Sequence, residues 1–455
     1  MPLSIWLSLP VMLFRLLLLG FLSFGCGNRS FAEDGKTSPP PAAGAGVVEI
    51  DFGKILGPVT GRASGILLSL SKTEPPDEMV APLKPQLFRG SHQGQVHHTG
   101  QGVLDLYPRL RSLGVRHVQY LLSDDSTYGW MGGWPGDGGD WSAWEKIVAA
   151  DVAEVQAAGA KVEYDIWNEP DSTGFWKRSQ AQYLETWKRT VLLVRRLDPG
   201  AEIVGPSESD FHEAWMKEFL LFAKANNVLP DIVSWHELTC DLPYGQIGAH
   251  VDFVKKTLRE NAIPIERISI NETVGENVHD IPGIIVGYMA ALEKAGVESA
   301  ARSCWEERPG IFNGANNSLD GLLTDPEKQP RGAWWVYKAY ADLAGTLVET
   351  RADATVNALA SFDRATKSAH LLLGRFHGDG SPLRVVLRGV GQLGLASGQA
   401  LHISARRIPE TEWKPLPQPE SIFEGTVVPQ GDTLEFHLDG VGKYDACVVD
   451  ITLAP

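Results

Sequence analysis

Between residues 61 and 345 the chain alternates short apolar runs with amphipathic stretches, and this alternation constrains its fold more than any other feature. A short apolar run bounded by turn residues reads as a buried strand, and apolar residues at i, i+3 and i+4 read as a helix. Repeated strand–helix units build a parallel sheet, because parallel neighbours can be joined only through a crossover. Strands are expected at 66–70, at a run ending in Leu87-Phe88-Arg89-Gly90, and at 115–122, 161–167, 201–205, 231–235, 267–270 and 299–304. Helices are expected at 181–197 and 214–225, with a closing helix at 332–343. Eight such units close into a (β/α)8 TIM barrel.

After about residue 347 the helical period disappears. Runs at 368–376, 383–387, 401–405 and 447–453 are short and strand-like, with Gly, Pro and Asp between them. They predict an antiparallel β-sandwich. The expected fold is therefore α/β, a (β/α)8 TIM barrel over 47–345 followed by a C-terminal antiparallel β-sandwich over 346–455. Residues 47–52 alternate apolar and polar side chains, as a strand joining the C-terminal module would.

The N-terminal region reads differently. Residues 11–24 are almost wholly apolar apart from Arg15, and Ser30-Phe31-Ala32 offers small residues where a signal peptidase reads them. A signal peptide over 1–32 and a Pro/Ala/Gly-rich flexible linker over 33–46 are expected, hence export to the periplasm or beyond the cell. Leu22-Ser23-Phe24-Gly25-Cys26 offers a rival, a lipoprotein box with lipid on Cys26, the one route to a membrane that the sequence suggests.

The formal charge is -15, which repels a phosphate backbone and argues against nucleic acid as a partner. Fourteen tryptophans suit stacking on sugar rings, although large aromatics also build cores. Cys240, Cys304 and Cys447 are odd in number, and no CxxC pair or His/Cys cluster has metal-ligand spacing. No disulfide framework, structural zinc or cofactor is expected, and no GxGxxG, P-loop, GxSxG or HExxH motif is present.

The fourth strand carries the chemistry. Tyr164-Asp165-Ile166-Trp167 runs straight into Asn168-Glu169-Pro170-Asp171, and proline cannot continue a central strand. The barrel therefore delivers Glu169 at a strand's C-terminal end, where all strands of such a barrel converge. Ile268-Ser269-Ile270 likewise runs into Asn271-Glu272-Thr273, at the seventh position. Two carboxyl groups roughly 5 Å apart are what a retaining glycosidase needs, one to protonate the leaving oxygen and one to attack the anomeric carbon. The two roles need different environments: the donor must stay protonated until it donates, and the attacker must stay ionised and needs hydrogen-bond donors. Glu276 and Glu306 are rival candidates for the second carboxylate.

The string WNEP resembles the acid/base strand of clan A glycoside hydrolases. With WNEPD, the Ser234-Trp235-His236-Glu237 strand, Gly321-Leu322-Leu323 and the C-terminal sandwich, the chain is most similar to family 39, the β-xylosidase and α-L-iduronidase type. The resemblance implies Glu169 as acid/base and Glu272 as nucleophile. It implies Arg89 beneath the nucleophile, Asn168 on the substrate 2-hydroxyl, and His236 close to the nucleophile. Trp305 is a candidate floor for the sugar, and His92 and Asp124, which also follow strands, are candidates for sugar hydroxyls. The chain departs from the family in lacking the aromatic residue after Glu272 and a histidine ending the first strand, so the sugar stays open.

A Gly-rich segment at 132–139, with Trp130, Trp134 and Trp141, reads either as a subsite wall or as a loop stapled by tryptophans. The expected partner is an oligosaccharide or polysaccharide, with oligomeric state open. Two alternatives to an exported retaining hydrolase remain: a catalytically silent carbohydrate-binding barrel, and an endo-acting glycanase of another clan A family. Whether Glu272 faces Glu169 separates the silent barrel from the enzymes.

Overall fold

The computed structural model describes residues 46–91, 102–123, 133–238, 244–308, 311–378, 380–394 and 399–454. Strand β1 (Val47–Pro58) comes first and lies outside the barrel. The barrel strands follow as β2 (Gly65–Leu67), β3 (Leu87–Ser91), β4 (His117–Leu121), β5 (Glu163–Asp165), β6 (Glu202–Glu208), β7 (Ile232–Glu237), β8 (Arg267–Thr273) and β9 (Ser299–Arg302). Each pairs in parallel with the next, and β9 pairs with β2 to close the ring. Closure demands a close approach at Gly65, where a Cβ would stand 2.3 Å from the Ala300 carbonyl oxygen.

The helices owe their positions to the same pattern that suggested them. Helix α1 (Asp77–Val80) is one turn, and α2 (Val103–Ser112) and α3 (Ser142–Ala157) cover the first half of the ring. In α4 (Gln180–Leu197) the Ser179 side chain caps the N-terminus by accepting from the Gln182 N–H. Its buried Tyr183, Leu184, Trp187, Val191 and Val194 recur at helical spacing and face the barrel. Helices α5 (Glu213–Ala225) and α6 (Tyr244–Glu260) follow. Helix α7 (Pro282–Ala295) opens on proline and stops at Gly296, whose φ is +70°. Beyond the small hairpin of β10 (Glu306–Arg308) and β11 (Ile311–Phe312), α8 (Gly332–Asp342) completes the barrel.

The remaining strands are β12 (Thr346–Ala352), β13 (Val356–Asp363), β14 (Ser368–Arg375), β15 (Leu383–Arg388), β16 (Leu401–Ile408), β17 (Glu420–Val427), β18 (Thr433–Leu438) and β19 (Ala446–Leu453). With β1 they form one nine-stranded sheet, ordered β17-β16-β19-β14-β13-β12-β1-β15-β18. The sheet curls on itself until its end strands meet, with Phe423 of β17 and Phe436 of β18 stacked at 6.1 Å. The two inner faces enclose an apolar core that includes Val48, Ile50, Phe362, Leu371, Leu373, Leu401, Ile403 and Val449. The sandwich is antiparallel except where β1 lies parallel to β15. Val47–Pro58 pairs with β12 and β15 of this sheet, and the barrel strands begin at Gly65.

Barrel and sheet meet backbone to backbone. A Cβ on Gly283 of α7 would stand 2.2 Å from the Arg375 carbonyl oxygen, and one on Gly374 of β14 would stand 2.3 Å from that of Gly283. Two glycines let helix and strand approach this closely, and the Gly283 N–H donates to the Tyr444 carbonyl. Helix α7 follows the strand bearing Glu272, so the sheet buttresses that side of the barrel. Among the described residues no helix is long and apolar enough to cross a membrane. Cys304 and Cys447 are free thiols, and Cys26 and Cys240 lie outside the described residues.

Candidate active site

Glu169 follows β5 in a left-handed turn, with φ of +49°. Pro170 prevents further strand, and the Glu169 N–H donates to the Ser207 carbonyl at 2.9 Å. Its side chain points into the barrel mouth and is 11% exposed. Glu272, on β8 across the mouth, is 13% exposed. Glu169, Glu272 and His236 each bring one side-chain atom within 4.8 Å of the others. Neither Glu276 nor Glu306 belongs to this cluster. Glu276 sits in a short turn after β8, and Glu306 is exposed on the β10 hairpin.

Arg89, in the middle of β3, is buried beneath the pair. Its Nη1 donates to Glu272 Oε1 at 2.6 Å, its Nε to Asp165 Oδ2 at 2.7 Å and its Nη2 to Asn168 Oδ1 at 2.9 Å. The last bond fixes the Asn168 amide and leaves its two N–H donors uncommitted to Arg89. Asp165 also accepts from Ser207 Oγ at 2.8 Å and Asn271 Nδ2 at 3.0 Å. Arg89 therefore rests on a fully buried carboxylate that is itself held by two other strands.

His236, at the end of β7, lies between the two glutamates. Its Nδ1 is 2.9 Å from Glu169 Oε1, and its Nε2 is 3.9 Å from Glu272 Oε1, too far for a hydrogen bond. The sequence placed this histidine by the nucleophile candidate; its hydrogen bond is to Glu169 instead. Burial, opposed by the Glu272 charge and helped by Arg89, pushes the imidazole down to about 4. It is thus neutral near pH 7, with one N–H: when Glu169 is ionised that proton faces Glu169, and when Glu169 is protonated Nδ1 can accept from it.

The environment of Glu272 differs from the expectation in one respect. Arg89 supplies the donor, yet burial is the larger influence and pushes the carboxyl up from its ordinary value, with Glu169 adding to the rise and His236 and Arg89 opposing it. Relative to an ordinary carboxyl the net effect disfavours the ionised form, with Arg89 and His236 limiting the rise. The three-residue cluster has the spacing of a cation site, but the Arg89 guanidinium already supplies positive charge at Glu272. A divalent ion would meet that charge, so the donor set suits proton transfer better than metal binding.

Trp305 lies just beyond β9, half-buried, with its Nε1 donating to the Val274 carbonyl at 2.8 Å. His92 and Asp124 lie outside the described residues, as does Trp130. Trp134 packs against Trp167 at 6.0 Å and Trp176 at 5.3 Å, which staples its loop beside the strand bearing Glu169. Trp141 donates to Thr186 Oγ1 and lies under Arg189 at 4.3 Å, so it serves helix packing rather than a subsite.

Sequence reasoning missed the supporting layer of Asp165, Asn271, Ser207 and Ser234. A signal existed for one of them. Glu163 and Asp165 stand two apart in an otherwise apolar strand, so both face the same side, and an acid at an inward position needs a partner. Ser207 carries no such mark. Its role follows from φ of +58° and from hydrogen bonds to Asp165 and Ser234.

Comparison with known proteins places the chain among glycosidases. The profile of Glycosyl hydrolases family 39 matches residues 142–279, which include both Glu169 and Glu272. A 3-O-alpha-D-galactosyl-alpha-L-arabinofuranosidase of Bifidobacterium longum subsp. longum is 27% identical over 244 residues, covering 52% of this chain and 20% of the relative. The chain therefore spans about a fifth of that relative's length. A solved structure from Neocallimastix frontalis superposes with a TM-score of 0.78 at 25% identity, covering 90% of this chain and 100% of the other. A monomeric beta-xylosidase from Caulobacter crescentus CB15 gives 0.64 at 17% identity, covering 89% and 99%, a likeness of fold. By profile and by fold, the chain resembles the clan A glycosyl hydrolases of family 39.

Proposed function

We propose that the chain is an exported retaining glycoside hydrolase with Glu169 as acid/base and Glu272 as nucleophile. The observation that carries the reading is the approach of the two carboxyl groups, each at a barrel-strand end, to within 4.8 Å with a neutral histidine between them. Retaining glycosidases hold their carboxyl groups about 5–5.5 Å apart, and inverting ones leave a wider gap for water. In the first step a Glu272 oxygen attacks the anomeric carbon while the bond to the leaving oxygen breaks, and that oxygen takes the Glu169 proton. In the second, Glu169 removes a proton from water, the water oxygen attacks the anomeric carbon, and Glu272 departs as carboxylate. Arg89 bears on the Glu272 charge throughout, and the free N–H donors of Asn168 suit a 2-hydroxyl.

The substrate we infer is a pentoside within an oligosaccharide or polysaccharide. That reading rests on the names of the similar proteins, an arabinofuranosidase and a beta-xylosidase. Export rests on the apolar stretch at 11–24 and on Ser30-Phe31-Ala32, with lipid on Cys26 as the other route.

The test is a panel of aryl pentosides and hexosides, with the anomeric configuration of the first-formed sugar followed by NMR. The reading predicts hydrolysis of a pentoside with retention. Inversion, or binding of oligosaccharides by a wild type inert on the whole panel, contradicts it.

A further inference from the structure

We propose that Asp171 and Ser209 are positioning residues that set the Glu169 carboxyl for proton donation, an inference that rests on the hydrolase reading above. Glu169 occupies a left-handed backbone conformation, which is strained for a side chain-bearing residue and persists only where its surroundings over-determine it. The constraint comes from the end of β6. The Ser207 carbonyl accepts the Glu169 N–H at 2.9 Å. Two residues on, both oxygens of Asp171 are engaged by Ser209, Oδ1 by the backbone N–H and Oδ2 by the hydroxyl, each at 2.7 Å. Pro170 lies between the two anchored residues with its φ fixed by its ring.

Residues 169 to 171 are thus gripped at both ends by residues 207 to 209. The Asp171 side chain is only 7% exposed, and its hydrogen bonds to Ser209 are charge-assisted, so the grip is short and strong. His212 Nδ1 stands 3.6 Å from Oδ2 and adds a weaker contact at the surface. The clamp acts through the backbone, by fixing where the Glu169 side chain starts. Removing it lets the left-handed turn relax and draws the carboxyl away from the leaving oxygen. A misplacement of about 1 Å lowers a rate by about 100-fold.

Such a role has a signature that a merely structural role lacks. A good leaving group departs without help, whereas a poor one needs the proton. The experiment measures kcat/KM on aryl glycosides of graded leaving-group acidity, for wild type, Glu169→Ala, Asp171→Ala, Asp171→Asn and Ser209→Ala. Glu169→Ala is the reference, retaining activity on a dinitrophenyl glycoside and losing about 100-fold or more on a phenyl one. Asp171→Ala is expected to lose at least about 10-fold on the phenyl glycoside and less than about 3-fold on the dinitrophenyl one, within the range of acid catalysis. Asp171→Asn, which still offers an oxygen to the Ser209 N–H, should recover most of the loss. Ser209→Ala removes one bond without touching a charge and keeps the question open to test if Asp171→Ala does not fold.

Equal losses on all leaving groups, or no loss in either Asp171→Ala or Ser209→Ala, overturn the clamp while leaving the hydrolase reading intact. A wild type inert on every glycoside, or a Glu169→Ala protein with no leaving-group dependence, overturns the reading of the site and the clamp with it.

Discussion

The barrel mouth and the nine-stranded sheet bury side chains for opposite reasons. The interior of the sheet is mainly apolar, from Val48 and Ile50 on β1 to Val449 and Ile451 on β19, with Arg375 of β14 buried at its edge on backbone carbonyls. Around the mouth, Arg89, Asp165, Glu208, His236 and Asn271 are all less than 2% exposed. Among the described residues, Glu208 Oε1, His236 Nε2 and Asn271 Oδ1 have no hydrogen-bond partner. The strand ends of the barrel also carry left-handed side chain-bearing residues at Leu68, Ser69, Glu169, Ser207 and Val274. Burial of polar groups and a strained backbone both oppose folding. The barrel tolerates them where its strands converge, and the sheet and the rest of the barrel supply the apolar burial that offsets them.

Deleting one side chain from each region should separate activity from stability. Glu272→Ala should lower kcat on aryl glycosides by at least about 10^4-fold while the thermal midpoint stays level or rises, since a buried charge is removed. A fall in thermal midpoint matching the fall in activity would erase the distinction. Leu373→Ala, in the sheet core at 0% exposure, should do the reverse. It should lose about 2–5 kcal/mol in denaturant unfolding with kcat per folded molecule unchanged.

Outside the mouth the barrel also hides a charge, which sharpens the contrast. Burial, with the charge of Glu154 added, pushes the Asp151 carboxyl of α3 up to about 7, against the hydrogen bond from Tyr120. A raised carboxyl pKa means that the folded state prefers the protonated form. Its contribution is then fully present below the unfolded value near 4 and is lost as pH rises toward 7. Asp151→Asn should therefore stabilise the protein at pH 8 by roughly 2–4 kcal/mol and leave it unchanged at pH 4, as read by urea unfolding at both pH values. Equal effects at the two pH values would contradict the assignment.

The smallest effect concerns the pH profile. Glu272 must be ionised to attack, and burial raises its pKa while Arg89 opposes the rise. Activity should fall as pH drops through that raised value. Arg89→Leu removes the opposing charge, so the acid limb of kcat/KM should move to higher pH by about one unit, on top of a lower plateau. A limb that stays in place, or moves down, would show that another group sets it.

Much of this was legible in the chain and some was not, for physical reasons. The barrel strands are readable because short apolar stretches, Ile232-Val233 and Ile268 with Ile270, stop at polar residues within segments that are almost wholly buried. The two glutamates are readable because each ends such a run. The alternation at 47–52 suggested a strand of the C-terminal module but not its place there, between β12 and β15, about 300 residues away. The tryptophans of the 132–139 loop were ambiguous because stacking on a sugar and stacking on Trp167 need the same residue. The clamp of Asp171 and Ser209 was invisible, since a short polar side chain in a loop carries no periodicity and its partner is 38 positions away.

Chemical rescue of Glu272→Ala by azide asks whether Glu272 is the nucleophile. The account predicts that azide restores turnover of a dinitrophenyl pentoside and yields a glycosyl azide of inverted configuration, because the anion fills the space left by the nucleophile. A Glu272→Ala protein that keeps wild-type activity without azide would contradict it, and would move the nucleophile to another carboxylate.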